Sequence, residues 1–408
     1  MNKKKPHYAW IVMAACMIFY YGAVGVAINT FNVYSPFILR INNFTNTQIS
    51  LIMTFRNIFN ILAVGMTAKL YLHFPVRRGL TVFGLTIALG YAIMSFAHSF
   101  PLYLVGISVV GIGYGFSSMV AISILLGRWF RAKKTLAISL ISAMTGLGTI
   151  GAPTLIARTI EQRSLHDAML IEAAVIAATV LIPALFIRER PDDVGLSPYG
   201  AGEKSALTAK AKKERRPLGF RNLVLVYLML ILCTMTCSAG WQVLSLHAAA
   251  ENFPTSQVAL CVTVAGTALM LAKLVFGGIC DRLTLKKTSL IYLAVLFVSC
   301  IMLTFMGKIR WLLYPAMALF GGAISTITIG CVTWADDWFP PEQHDTMVAR
   351  FQMLYSCGSL GTSLLPGVIA DRNGGSYVPF FWLCALSVVL MVVIMLITYK
   401  AVAPADKA

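Results

Sequence analysis

AGTALMLAKLVFGGICDRLTLKK, residues 265–287, is an apolar run that carries one cation, Lys273, and ends abruptly at Asp281-Arg282, with Lys286-Lys287 close behind. Together with the apolar residues from 256 onward, it is long enough for a membrane-spanning helix, which needs roughly 20 apolar residues to cross a hydrocarbon core about 30 Å thick. A second apolar run follows at 288–307. Two such runs flanking a short basic break read as two spans joined by a loop on the side where positive charge is retained.

Outward from this stretch the same pattern fills the chain. Twelve spans are expected, at 9–38, 49–72, 78–98, 101–127, 135–158, 168–187, 223–247, 256–280, 288–307, 311–335, 346–370 and 376–399. The composition agrees: of 408 residues 58% are hydrophobic and 12% charged, with a mean hydropathy of +0.77, whereas soluble domains carry roughly 25% charged residues. A pair of soluble domains is excluded. The net charge of +17 does not point to nucleic acid, because the basic residues lie in the short breaks between apolar runs and form no solvated basic face. Met1-Asn-Lys-Lys-Lys leads straight into a full-length span without a small-residue cleavage site, so the first helix is expected to be retained. The nine cysteines show no metal-ligand or CxxC spacing and all fall in apolar stretches, as small packing residues do.

The breaks also set the orientation. With the N-terminus inside, the cytoplasmic breaks hold 23 Lys and Arg, among them Arg77-Arg78, Arg128 to Lys134 and Arg282 to Lys287, and the outer breaks hold 6. Both termini are therefore expected in the cytoplasm, with the protein in an inner (plasma) membrane.

The chain repeats itself. A shift of 209 residues lays Thr47-Gln48-Ile49-Ser50-Leu51 on Ser256-Gln257-Val258-Ala259-Leu260, Arg77-Arg78 on Lys286-Lys287, and Trp129-Phe130 on Trp338-Phe339. After four inserted residues, Gly148-Thr149 with Pro153 matches Gly361-Thr362 with Pro366. The expected architecture is all-α, with twelve transmembrane helices in two pseudo-symmetric six-helix bundles at 1–188 and 222–408. A cytoplasmic linker at 189–221 joins them, and its basic run Lys210 to Arg216 marks topology or meets anionic lipid. Six-plus-six repeats of this kind are a transporter architecture that works by alternating access.

Gly277, Asp281, Arg282, Lys286 and Lys287 form the Gly-x-x-x-Asp-Arg-x-x-x-Lys-Lys pattern of the major facilitator superfamily, which the chain resembles over essentially its whole length. The first half has Ala68, Leu72, His73, Arg77 and Arg78 at the matching places, so the acidic member is missing there. The pattern implies a gate in which Asp281 accepts hydrogen bonds at a helix start and Arg282 or Lys287 pairs with Asp336 or Asp337, with Arg128 as a further gating cation. Within the superfamily, Gly111-Ile-Gly113-Tyr-Gly115, Gly127-Arg128-Trp129-Phe130 and Gly146-Leu-Gly148 resemble the oxalate/formate antiporter and monocarboxylate porter group. That resemblance implies a small carboxylate as substrate.

An ionisable group inside a span is costly and marks function by default. Lys273 lies eight residues before Asp281, about 12 Å along the helix, where the resembling group keeps a substrate-binding arginine; it binds an anion or, alternatively, snorkels or gates. The place of a second cation in the oxalate carriers falls on Tyr355, which favours a monoanion. Arg56 attracts anions into an outer vestibule or reaches for the outer interface. Superfamily geometry makes spans 1, 4, 7 and 10 line the cavity, which adds Asn32 and Tyr34, Tyr114, and Gln242 as substrate contacts. Arg350 is expected to pair with Asp345 or Asp337, Glu172 to reach outer water, and His247 to sit near the outer end of its span.

No carboxylate is expected near the middle of a span, so coupling is either co-entry of a proton with the carboxylate or exchange of anions. The reading is a secondary carrier for a small organic anion, a monocarboxylate in the first place, working as a monomer without a cofactor or metal. An exporter of amphipathic compounds and a membrane substrate sensor are the competing readings. No nucleophile elbow, Walker loop or metal cluster suggests an enzyme.

Overall fold

The computed structural model describes residues 7–131, 133–200, 218–340 and 343–402. Lys210 to Arg216 lie outside the described residues, as do the side chains of Asp281, Asp336 and Asp345.

Among the described residues the chain is helical, with one isolated bridge between Phe130 and Tyr199. The long helices are α1 (Tyr8–Ile41), α2 (Asn46–His73), α3 (Val76–Ser95), α4 (Phe100–Trp129), α5 (Leu136–Gln162), α6 (Leu165–Phe186) and α7 (Phe220–Ala250). They continue with α8 (Thr255–Leu283), α9 (Leu285–Phe305), α10 (Leu313–Trp338), α11 (Thr346–Arg372) and α12 (Val378–Val402). Eleven meet the length and hydropathy needed to cross a membrane; the other, α10, runs for 26 residues. The chain forms two compact units. One comprises Met1–Phe37 with Ile52–Thr208, the other Ile38–Leu51 with Ala209–Ala408.

In the first unit, helix approach is set by glycine, because without side chains helix backbones can come close enough to pack in lipid. A Cβ on Gly111 of α4 would stand 2.5 Å from the Arg56 carbonyl of α2, and one on Gly113 would stand 2.6 Å from the Phe83 carbonyl of α3. The Gly-x-Gly-x-Gly stretch thus holds α4 against two neighbours at once. Gly25 of α1 and Gly148 of α5 meet backbone to backbone, with the Met144 carbonyl 2.8 Å from where a Gly25 Cβ would lie.

The repeat is written into the irregularities of the helices. Helices α1 and α7, the first of each half, pass through π-helical turns at Tyr21–Val26 and Met235–Ala239, a geometry that concentrates at functional sites. Helices α5 and α11 break ahead of Ala152 and Leu365, and Pro153 and Pro366 open the second segments, where a missing N–H costs nothing. Helices α4 and α10 end at Trp129 and Trp338, with Phe130 and Phe339 extended in both.

The beginning of the linker folds onto the first unit. Tyr199 exchanges backbone hydrogen bonds with Trp129 (2.8 Å) and Arg131 (2.9 Å), and its ring packs on Trp10 and Phe130. His7 Nε2 bonds the Ser197 carbonyl at 3.1 Å.

Candidate functional site

In the first unit, a polar cluster sits inside apolar helices. Glu172, seven residues and about 10 Å into α6, is buried with 3% exposure. Tyr34 donates to its Oε2 at 2.5 Å, Thr30 donates to its Oε1 at 2.8 Å, and Tyr91 also reaches the carboxyl. The expectation that Glu172 reaches outer water fails. The residue lies on the side of α6 that packs against α1 and α3, and its neighbours in sequence, Ile171 and Val175, take the exposed face. Tyr34, expected as a substrate contact, is wholly buried and committed to Glu172 and the Ala168 carbonyl.

Arg56 is buried as well, 8% exposed, so it does not reach for an interface. It lies ten residues into α2, about 15 Å along the helix, and interacts with Tyr114 of α4 and Tyr91 of α3. Tyr114 is half-buried and Asn32 buried. The structure therefore brings Arg56, Tyr114, Tyr91, Tyr34 and Glu172 into one connected cluster.

In the second unit, Lys273 is half-buried, ten residues and about 15 Å from the end of α8. At 100° per residue it projects from the side of α8 opposite Leu271 and Val275, which are 53% exposed each. No ion pair engages it among the described residues. Gln242 of α7 is buried; its amide reaches the Ser238 hydroxyl at 3.5 Å, and its Oε1 has no hydrogen-bond partner. Ser238 in turn meets Ser359 of α11 at 2.5 Å. Tyr355 is half-buried on the same helix, four residues before Ser359. His247 is fully buried, with Nε2 on the Leu303 carbonyl at 2.8 Å and its ring 4.7 Å from that of Phe381. That is a packing histidine with one nitrogen in use.

The gating residues divide. Arg128 forms an ion pair with Glu189, whose carboxylate also accepts the N–H groups of Val76 and Arg77 at 3.0 Å each. Glu189 thus supplies, from beyond the end of α6, the acidic helix-start acceptor that the first-half loop lacks. Asp337 accepts from the Tyr399 hydroxyl at 3.0 Å, and Lys286 lies 5.5 Å from the centre of the Tyr399 ring. Arg282, Lys287 and Arg350 are exposed.

Sequence inspection missed Glu172 and Glu189 as partners. The signal for Glu172 was its isolation in an apolar span; nothing in the sequence showed which way it faces.

The fold is similar to that of solved transporters. The solved structure of the nucleoside transporter NupG superimposes with a TM-score of 0.74 at 12% identity, covering 98% of this chain and 100% of that one. A D-xylose-proton symporter gives 0.72 at 14% identity, covering 98% of each chain. A bacterial homolog of the human lysosomal transporter Spinster gives 0.65 at 13%, covering 98% and 97%. At such identities these likenesses show the fold alone. A search of curated proteins gave no significant match. The family model described as Major Facilitator Superfamily matches residues 13–247 and again 228–408, once over each half. The chain is a multi-pass membrane transporter rather than an enzyme, and it belongs to the Major Facilitator Superfamily.

Proposed function

We propose that the protein carries a small organic anion, a monocarboxylate in the first place, across the inner membrane by alternating access, with Lys273 as the group that recognises the carboxylate. One observation carries this reading: a lysine in the interior of an apolar helix, half-buried and without an ion-pair partner among the described residues. Such a charge is expensive in a membrane unless water or a ligand meets it. An ammonium offers a point charge with three donors, enough for one carboxylate and with no fork to match a second. Tyr355 and Gln242, whose Oε1 has no partner, supply hydroxyl and amide groups in the same unit. The gate residues Arg128, Asp281, Arg282, Lys287 and Asp337 serve the conformational cycle.

Purified protein in proteoliposomes tests this, with labelled formate, acetate, lactate and oxalate as probes. Uptake of at least one monocarboxylate, reduced at least tenfold by Lys273→Ala and partly restored by Lys273→Arg, supports the reading. Loss of a buried charge partner typically costs about 2–5 kcal/mol, so the drop is large enough to see. Uptake that is unaffected by Lys273→Ala, or an absence of uptake for every carboxylate, overturns it.

A further inference from the structure

Three hydroxyl groups surround the Glu172 carboxyl, and each has only one proton to give. Thr30 Oγ1 faces Glu172 Oε1 at 2.8 Å and also the Val26 carbonyl. Tyr34 faces Glu172 Oε2 at 2.5 Å and the Ala168 carbonyl at 3.2 Å. Tyr91 faces Glu172 and the Ala27 carbonyl. Every donor therefore has two acceptors, one on the carboxyl and one on the backbone.

Counting protons gives two complete arrangements. With Glu172 ionised, the three hydroxyls turn to its two oxygens and leave the carbonyls of Val26, Ala27 and Ala168. With Glu172 protonated, its own O–H goes to one hydroxyl oxygen and the hydroxyls turn to the carbonyls. Val26 and Ala27 are where α1 leaves its π-helical turn and loses regular helix until Phe31. Proton binding at α6 thus changes which hydrogen bonds hold the break in α1.

The titratable groups facing the carboxyl are Tyr34 from α1 and Tyr91 from α3. The cation of the cluster, Arg56 from α2, interacts with Tyr91 and with Tyr114 of α4, and it makes no ion pair with Glu172 among the described residues. Helix α5, which also packs on α6, brings no titratable group to the carboxyl among the described residues. A single proton, and no fixed cation, is what Glu172 is arranged to take up.

We infer that Glu172 is a reversible proton-binding site and that the Thr30–Tyr34–Tyr91 cage around it passes its protonation state to the break in α1. The proton comes from water and returns to water, so no other reactant is needed. The coupling step rests on the transport reading above, whereas proton binding itself does not.

The two are separable by experiment. Infrared difference spectra of the purified protein, recorded between acid and alkaline pH without substrate, should show a carbonyl-stretch band of a protonated carboxylic acid that is absent from Glu172→Gln. Tyr34→Phe should keep the band and shift its midpoint, which a merely structural tyrosine would not do. A second arm uses proteoliposomes and labelled lactate. Glu172→Gln should retain lactate-for-lactate exchange and lose at least tenfold in accumulation driven by a pH gradient. If Gln fails to fold, Glu172→Asp replaces it and should keep the band at a shifted midpoint. If the parent protein has no titrating band that is missing from Glu172→Gln, the site is overturned. A band that behaves as stated with unchanged pH-driven accumulation overturns the coupling. Failure of lactate to be carried at all, with the band intact, counts against the substrate reading and leaves the proton site standing.

Discussion

Asp371 at the end of α11 holds the first turn of α2 through Asn46. Its carboxylate accepts from the Asn46 backbone N–H (3.0 Å) and side-chain amide (2.8 Å), and from the Thr47 N–H (2.8 Å). The remaining free donors of that turn are met locally. Gln48 N–H goes to the Thr45 hydroxyl at 3.1 Å and Thr45 N–H to the Gln48 side chain at 2.9 Å, a reciprocal capping box. Tyr377 adds a bond to Asn46 Oδ1 at 2.9 Å. Burial and the neighbouring Asp371 carboxylate hold the Tyr377 phenol above its ordinary pKa range, so it remains a donor. All four orphan N–H groups of the helix start are satisfied, two of them by a residue more than 320 positions away.

Replacing Asp371 by Ala strips two backbone N–H groups of their acceptor. Loss of a helix cap costs about 1 kcal/mol, and the site is exposed, so water recovers part of it. Thermal unfolding in detergent should shift down by a few degrees. Asp371→Asn, which keeps an acceptor oxygen, should lose less than Asp371→Ala. Equal losses in the two variants would show that a neutral acceptor oxygen recovers nothing and that the whole effect belongs to the carboxylate.

Glu189 joins Arg128 to the start of α3, so its two partners respond differently to mutation. Glu189→Ala removes an ion pair and both N–H acceptors, and should destabilise by about 2–3 kcal/mol. Arg128→Ala leaves the carboxylate capping α3 and should cost about 1 kcal/mol, as charge-assisted bonds at a half-buried site do. The unfolding temperatures of the two variants check the order.

The Gly25–Gly148 crossing leaves no room for a methyl group. Gly148→Ala would place its Cβ against the Gly25 backbone, where no side-chain rotation relieves the clash. Overpacking typically costs about 1–3 kcal/mol, and here the backbones themselves must part. Monodisperse protein recovered in detergent should fall sharply for Gly148→Ala, whereas Gly65→Ala on α2, where a Cβ meets nothing within 4 Å, should behave as the parent.

His247 has the packing of a structural residue. His247→Phe keeps the ring against Phe381 and abandons the bond to Leu303, so stability should fall by about 1–2 kcal/mol. The pH profile of uptake by the surviving protein should be unchanged. A displaced profile would assign His247 to proton movement and weaken the case for Glu172.

Much of this molecule was legible along the chain. The spans follow from apolar run length, which is local and has one scale, the thickness of the hydrocarbon core. The repeat is visible because equivalent helices end and break at equivalent residues, Trp129 with Trp338 and Pro153 with Pro366. Lys273 stood out because a charge in an apolar run is visible without knowing its neighbours. What one residue's surroundings do to it was not legible. Arg56 reads along the chain as a cation for an outer vestibule or for the outer interface, and Glu172 as a carboxylate reaching outer water; both are buried in one cluster with Tyr91, which nothing in the sequence connects to either.

The sequence alone determined that this protein is a bundle of membrane-spanning helices built twice, because hydropathy and helical period are properties of consecutive residues. Only the tertiary structure decided which side of each helix meets another helix and which meets lipid, since rotation about the helix axis is set by packing. That rotation turned Glu172 inward to Thr30, Tyr34 and Tyr91, and it gave the start of α2 its acceptor in Asp371. Both contacts arise between segments more than eighty residues apart, where sequence proximity carries no information.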